Sequence, residues 1–334
     1  MGRQIGVPRV AATWATAGLA ALFVVCWSSG FIGAKLGADQ APVPTVLMWR
    51  FVPLVVLLVP LALVHARRTG WTPSRSDRVR HAVIGLLSQS GYLLTVYGAI
   101  GLGVSTGTTA LIDGVQPLVA AALVGPLLGI AVSGRQWIGL CLGLVGVVVV
   151  SWTDALSPAT HAPGWAYLVP FAGMLSLIAS TFLERRAHTR TPPLQALAIH
   201  CATSAAVFTA IAVATGAALP PASGAFWVAT AWLVLLPTFG GYGLYWVLVE
   251  RIGVTPVNSL MFLIAPVTTV WGAAMFGEPL TTGTAAGLAL ALVGAFLGGR
   301  APRGAQGRVH VPVHHEDEPL PAPAPGRRPS LARP

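Results

Sequence analysis

The sequence predicts an all-α integral membrane protein, with ten transmembrane helices arranged as two inverted five-helix repeats. Three observations lead there. Of 334 residues, 54% are hydrophobic and only 9% charged, with mean hydropathy +0.73, whereas soluble chains are roughly a quarter charged. The apolar residues gather into ten runs, each near the roughly 20 residues that cross a hydrocarbon core. The second half also repeats landmarks of the first, in order and at a nearly constant offset.

The runs cover approximately 11–34, 42–64, 81–100, 105–130, 135–153, 164–183, 193–215, 225–249, 254–277 and 281–299. They are continuous rather than alternating, and backbone polar groups must be satisfied within lipid, so helices are expected instead of a barrel. The first run follows Arg3 and Arg9 as a secretory signal would. It continues to about Ala34, too long for a signal core, and no A-x-A site ends it; Cys26 follows Val24 and Val25 where a lipoprotein site wants small residues. It is expected to stay as the first membrane helix.

Loop arginines orient the bundle. With a cytoplasmic N-terminus, Arg3, Arg9, Arg67, Arg68, Arg75, Arg78, Arg80, Arg135, Arg185, Arg186, Arg190, Arg251 and the tail arginines all fall inside, and Lys35 alone falls outside. The positive-inside rule therefore predicts a multi-pass protein of the inner or plasma membrane with both termini cytoplasmic. A formal charge of +10 and pI near 10.7 could suggest nucleic acid. The basic residues sit in loops and tail, not on an amphipathic face with interleaved aromatics, so anionic lipid headgroups on the cytoplasmic side are the expected partner and nucleic acid is not.

The organisation that follows is a cytoplasmic N-terminus (1–10), a first repeat (11–153), a second repeat (164–299) and a tail (300–334). The tail is rich in Pro and charge and is expected to be disordered. His310, His314 and His315 beside Glu316 and Asp317 are read as solvated rather than metal-binding. Cys26, Cys141 and Cys201 lie within apolar runs without CxxC spacing, so neither a disulfide nor a metal site is expected. No cofactor is predicted.

The repeat is carried by residues 139–146, "GLCLGLVG", which match 287–294, "GLALALVG", at six of eight positions with an offset of 148. Gly91 and Tyr92 match Gly241 and Tyr242, and Gly103 and Val104 match Gly253 and Val254, at 150; Pro117 answers Pro266 at 149. Carried upstream at 150, Lys35 falls on Arg185, Pro42 on Pro192 and Arg50 on His200. Five helices per unit is an odd number, so the second copy enters from the opposite side. Inverted repeats of this kind build secondary transporters with a substrate site at the repeat interface.

The first helix ends in "WSSGFIGAKLG" from Trp27, and the second starts at a proline and carries "RF" at Arg50. "APV" at Ala265 to Val267, "FGEPL" at Phe276 to Leu280 and paired repeats ending in Gly-rich helices complete the pattern. Over about residues 11–299 the chain resembles the EamA-type transporters of the drug/metabolite transporter superfamily. The resemblance implies ten helices in two repeats, a central cavity, and export or uptake of small metabolites without ATP. Two departures stand out. Gly277 and Glu278 have only Gly129 and Ile130 opposite them, and Asp113 occupies a position where such proteins usually carry an uncharged residue.

Candidate substrate-binding residues follow from charge and position. Arg50 lies eight residues past Pro42, about 12 Å below the outer end of its helix by helical rise. A cation there costs at least about 2.5 kcal/mol unless paired or hydrated. It is a candidate to bind an anionic group of the substrate, or else ties its helix to neighbours. Asp113, eight residues past Ser105, lies at a similar depth and is a candidate partner. Lys35, at a helix end, either snorkels to headgroups or guards the outer mouth. Histidine titrates near physiological pH, so His200 is either a proton-coupling group or a neutral hydrogen-bonded imidazole. Pro117 and Pro266 mark expected helix breaks at corresponding places, with Gln116 and Asn258 near them. Tyr92, Tyr97, Tyr242 and Trp246 are candidate cavity walls, or simply packing or interfacial aromatics.

The function expected is a secondary transporter, exporter or facilitator, of a small polar metabolite or drug-like solute by alternating access, with proton coupling left open, acting as monomer or homodimer. No "GxxxxGK[ST]" loop is present for ATP. The alternative is an intramembrane enzyme acting on a lipid or small substrate, but neither GxSxG nor HExxH occurs and the acids are scattered.

Overall fold

The computed structural model describes residues 9–127, 133–186 and 191–298, all in helices and the loops that join them. The tail, with its histidines, and Gly129 and Ile130 lie outside the described residues. Among the described residues, eight helices are long and apolar enough to cross a membrane. They are α1 (Arg9–Ala38), α2 (Val43–Thr69), α3 (Arg75–Gly101), α5 (Gly134–Ala155), α6 (Gly164–Glu184), α7 (Pro193–Ala214), α8 (Gly224–Ile252) and α9 (254–276, with its apolar span Pro256–Phe276). A broken helix, α4a (Thr106–Gly114) and α4b (Gln116–Leu127), and a shorter apolar one, α10 (Thr282–Gly298), complete ten.

Pairing between the halves follows a two-fold pattern. Helix α2 packs on α7, α4a on the second part of α9, and α5 on α10; each joins a helix to its own counterpart five places on. Other cross-contacts come in exchanged pairs: α1 packs on α8 as α6 does on α3, α1 on α9 as α6 does on α4, and α3 on α7 as α8 does on α2. Swapping the halves leaves this pattern unchanged, as an inverted repeat requires.

Both halves break the fourth helix of their unit. Helix α4a ends at Val115 before α4b resumes, and α9 divides at Phe262 and Leu263 into α9a (Val254–Met261) and α9b (Ile264–Phe276). Pro117 is the second residue of α4b and Pro266 the third of α9b. These prolines therefore open the second half-helices instead of kinking continuous ones. In a first turn the missing N–H has no intrahelical acceptor to lose, so proline is tolerated there.

A second matched irregularity was not evident from the apolar pattern. Helix α3 widens into a π-helical segment at Leu86–Gly91, and α8 does so at Val234–Tyr242. Such segments add a residue to the turn and re-aim the side chains that follow, often at functional sites. Tyr92 follows the first and Tyr242 ends the second.

Candidate functional site

A cavity of about 460 Å3, counting its open mouth, lies among α1, α2, α3 and α8, walled by Trp27, Phe31, Arg50, Tyr92, Tyr97 and Tyr242. That size suits a small molecule rather than a polymer. Arg50 is only 6% exposed. Its Nη1 donates to the Tyr97 hydroxyl and its Nη2 to Thr238 Oγ1 at 3.0 Å, while Nε is buried without a partner. The guanidinium carbon also stands 5.6 Å and 5.8 Å from the Phe51 and Tyr97 ring centroids. All these partners are neutral.

Local sequence explains how Thr238 comes to face Arg50. Pro237 has no N–H to give the Leu233 carbonyl four residues back, and the Thr238 hydroxyl donates to that carbonyl at 3.0 Å. The same oxygen then accepts from Arg50. On α1, Gly30 lets the Pro237 ring approach, and Trp232 Nε1 donates to the Ser29 carbonyl at 2.9 Å. Ser28 donates to the Ile264 carbonyl beside the α9 break. The "WSSG" stretch thus fixes α1 against both α8 and α9b.

Asp113 is the penultimate residue of α4a, just before the break. Tyr92 donates its hydroxyl to Asp113 Oδ2 at 2.9 Å, and Oδ1 is buried without a partner. Asp113 and Arg50 form no ion pair within 4.0 Å; the described ion pairs are elsewhere. Tyr92, which donates to Asp113, and Tyr97, which accepts from Arg50, stand with Tyr242 on the cavity wall.

The other predicted residues are placed as follows. Lys35 pairs with Asp39, just past the end of α1, at 2.8 Å, partly exposed and outside the cavity lining. His200 Nε2 meets His81 Nδ1 at 3.2 Å, and His81 Nε2 meets Thr191 Oγ1 at 2.8 Å, near the end of the bundle that carries Arg75. Gln116 is half-buried in the first turn of α4b; Asn258 on α9a and Pro117 are exposed. Pro266 lines a separate apolar space of about 300 Å3 with Leu111, Val115 and Leu288. Trp246 is exposed and meets Tyr245 edge to face. Sequence reasoning missed Trp27, Phe31 and Thr238; Pro237, inside an apolar run, was the available signal for the last.

The two ends of the cavity region differ. Toward the end bearing Ala38, residues 106–112, Ser28, Ser29, Thr45, Ile100, Thr268 and Gly272 are all buried. Toward the end bearing Thr69, Tyr242, Asn258 and Pro117 are exposed. The Ala38 end is pinned at the start of α4a. Glu278 accepts from Thr106 N at 2.8 Å, Thr106 Oγ1 at 2.7 Å and Gly107 N at 3.4 Å. Asp154 accepts from Ser105 N at 3.2 Å and also from Thr160 and Tyr167. Both carboxylates meet the positive end of a helix, where anions are favoured. Burial raises the Glu278 carboxyl above its ordinary value, and the bonds from Thr106 and Gly107 offset part of that rise. The counterpart start of α9a, after Gly253, has no side-chain cap.

Comparison with known proteins accords with this architecture. The chain is 25% identical over 301 residues to the "Probable terminal-alkyne amino-acid exporter" of Streptantibioticus cattleyicolor, covering 87% of this chain and 95% of that protein. It is 23% identical over 268 residues to the "Uncharacterized inner membrane transporter YedA" of Escherichia coli K12, covering 79% and 83%. A solved structure described only as the crystal structure of a protein shares the fold, with a TM-score of 0.57 at 19% identity over 85% of this chain and 96% of that one. The family model of the EamA-like transporters matches residues 14–152 and again 164–299. The chain is therefore a multi-pass membrane protein that belongs to the EamA-like transporter family.

Proposed function

We propose that the protein is a secondary transporter that exports a small, carboxylate-bearing metabolite by alternating access, with both termini in the cytoplasm. The observation that carries this reading is Arg50: a buried guanidinium on a cavity wall, held by neutral hydroxyls, with an unused donor. A buried cation without a counter-charge is costly in a membrane, and an incoming carboxylate supplies that charge. Arginine suits the task because its planar fork matches a carboxylate.

The end held by Glu278 and Asp154 is read as the closed one, and under the predicted topology it falls outside. A solute then enters from the cytoplasm, as export requires. Export and the solute class draw further support from the similarity to a protein named as an amino-acid exporter. Asp154 and Glu278 bind backbone N–H groups at a helix start, an arrangement suited to locking a gate and not to activating a nucleophile. Purified protein in liposomes should exchange labelled amino acids across the bilayer without ATP. Exchange no faster than in protein-free liposomes, for every common amino acid, would overturn the proposal.

A further inference from the structure

One face of the first part of α3 meets one face of α7. His81, Gly85 and Gln89 recur every fourth residue on α3, and His200 and Ser204 do so on α7. A Cβ placed on Gly85 would stand 2.7 Å from the His200 Cα, so the two backbones touch here. One turn further, Ser204 donates to the Gln89 amide oxygen at 3.1 Å and accepts from Ser90 at 3.2 Å. Toward the arginine-bearing end the contact is made by two imidazoles, with His81 Nδ1 and His200 Nε2 3.2 Å apart. Neither ring lines the cavity that holds Arg50.

The partners of His81 fix where its proton lies. Arg80 Nη2 stands 3.3 Å from His81 Nε2, and a guanidinium can only donate. Arg80 also donates to Thr191 Oγ1 at 3.3 Å, which leaves the Thr191 hydroxyl to donate to the same Nε2 at 2.8 Å. His81 Nε2 is therefore an acceptor. The proton of the neutral ring sits on Nδ1 and is donated to His200 Nε2, so that nitrogen is bare. Both rings must be neutral for the contact to form. A proton added to His81 Nε2 would face the Arg80 guanidinium, and one added to His200 Nε2 would face the His81 N–H. The other charges near the pair are Asp77, which meets Arg80 at 3.0 Å, and Glu184 on α6. The serine and glutamine contacts of the same seam do not titrate.

We infer that the His81–His200 contact is an acid-released latch between α3 and α7, closed while both imidazoles are neutral and opened by a proton from the arginine-bearing side, the cytoplasm under the predicted topology. Once released, the Arg75–Gly85 segment can move against the π-helical turn at Leu86–Gly91, beyond which α3 carries Tyr92 and Tyr97 of the cavity wall. The latch asks nothing of the solute and stands apart from the assignment of Arg50. Its sign follows from linkage. A released histidine takes up a proton near the ordinary value of about 6.5, and the closed latch excludes that proton. The latch therefore keeps its full strength above this value and loses it progressively as pH falls below.

The test measures the distance between spin labels on single cysteines at Arg78, exposed on α3, and Leu197, exposed on α7. The full chain, with Cys26, Cys141 and Cys201 replaced, is held in lipid nanodiscs. One short distance should dominate at about pH 8. Between about pH 6.5 and 5 a longer distance should gain on it by up to about tenfold per pH unit for each proton taken up. His200→Gln sets an amide oxygen near the place of Nε2, accepts the same hydrogen bond from His81 and takes no charge. It should hold the short distance throughout. His81→Phe removes the donor and should show the longer distance already at the alkaline end. A native distance unchanged over this range would overturn the latch. So would His200→Gln responding to acid as the native protein does, or His81→Phe keeping the short distance at the alkaline end.

Discussion

Gly139 on α5 and Gly294 on α10 meet backbone to backbone: a Cβ placed on Gly139 would stand 2.6 Å from the Gly294 carbonyl oxygen, and one on Gly294 would stand 2.5 Å from that of Gly139. Gly146 and Gly287 stand in the same relation. In the repeat, Gly139 corresponds to Gly287 and Gly146 to Gly294. The contact is therefore self-complementary, the hallmark of a two-fold interface. Helices in lipid lack a hydrophobic drive to associate and gain their contact energy from such close approach.

A methyl group has no room at this crossing. Gly139→Ala should destabilise the bundle by about 1 to 3 kcal/mol, the usual cost of overpacking, and Gly294→Ala by a similar amount. Gly134→Ala, where a Cβ meets open space, should leave stability unchanged. Thermal unfolding in detergent reads all three; equal Tm values for Gly139→Ala and the native protein would contradict the crossing.

The legibility of the sequence divides along the same line. The matching "GLCLGLVG" and "GLALALVG" were visible as a repeat, and the structure adds that the two copies are each other's partner. Ten helices were legible because apolar length and arginine placement act locally. Breaks in the fourth helix of each half were signalled by Pro117 and Pro266, although the prolines open half-helices rather than kink them. The π-helical segments were not legible, because one extra residue per turn leaves hydropathy unchanged. Arg50 was evident as a charge in an apolar run. Its partners Tyr97 and Thr238 were separated from it by 47 and 188 residues, a tertiary fact that no local pattern contains.

Glu278 should make closure of the outer end sensitive to pH. In the closed state burial holds its carboxyl above the ordinary value of 4.5, despite the opposing bonds from Thr106 and Gly107. Opening hydrates it and returns that ordinary value. The closed state thus binds the proton more tightly. This stabilisation is full below 4.5 and is lost as pH rises through the raised value. A cysteine at Ala110, buried in α4a, should be labelled from outside more slowly as external pH falls toward that range. Glu278→Gln should flatten the dependence, after correction for the thiol's own titration in unfolded protein. An unchanged slope in Glu278→Gln would assign the effect elsewhere.

Topology has a separate check. In a background lacking Cys26, Cys141 and Cys201, single cysteines at Ala38 and Ser157 should be labelled by an impermeant maleimide in intact cells. One at Ser74 should be labelled only after permeabilisation. External labelling of Ser74 would reverse the assignment of the open end, and with it the direction of access.

Arg50 carries the central claim, and amino-acid counterflow in proteoliposomes tests it most directly, comparing native protein with Arg50→Ala that has been shown to fold and insert. The native protein should accumulate labelled amino acid against the preloaded gradient. Arg50→Ala should fall to the rate of protein-free liposomes, because truncating one side of a buried charge contact costs roughly 2 to 5 kcal/mol. Native rates from correctly inserted Arg50→Ala would contradict the account and leave the buried guanidinium a structural tie between α2, α3 and α8.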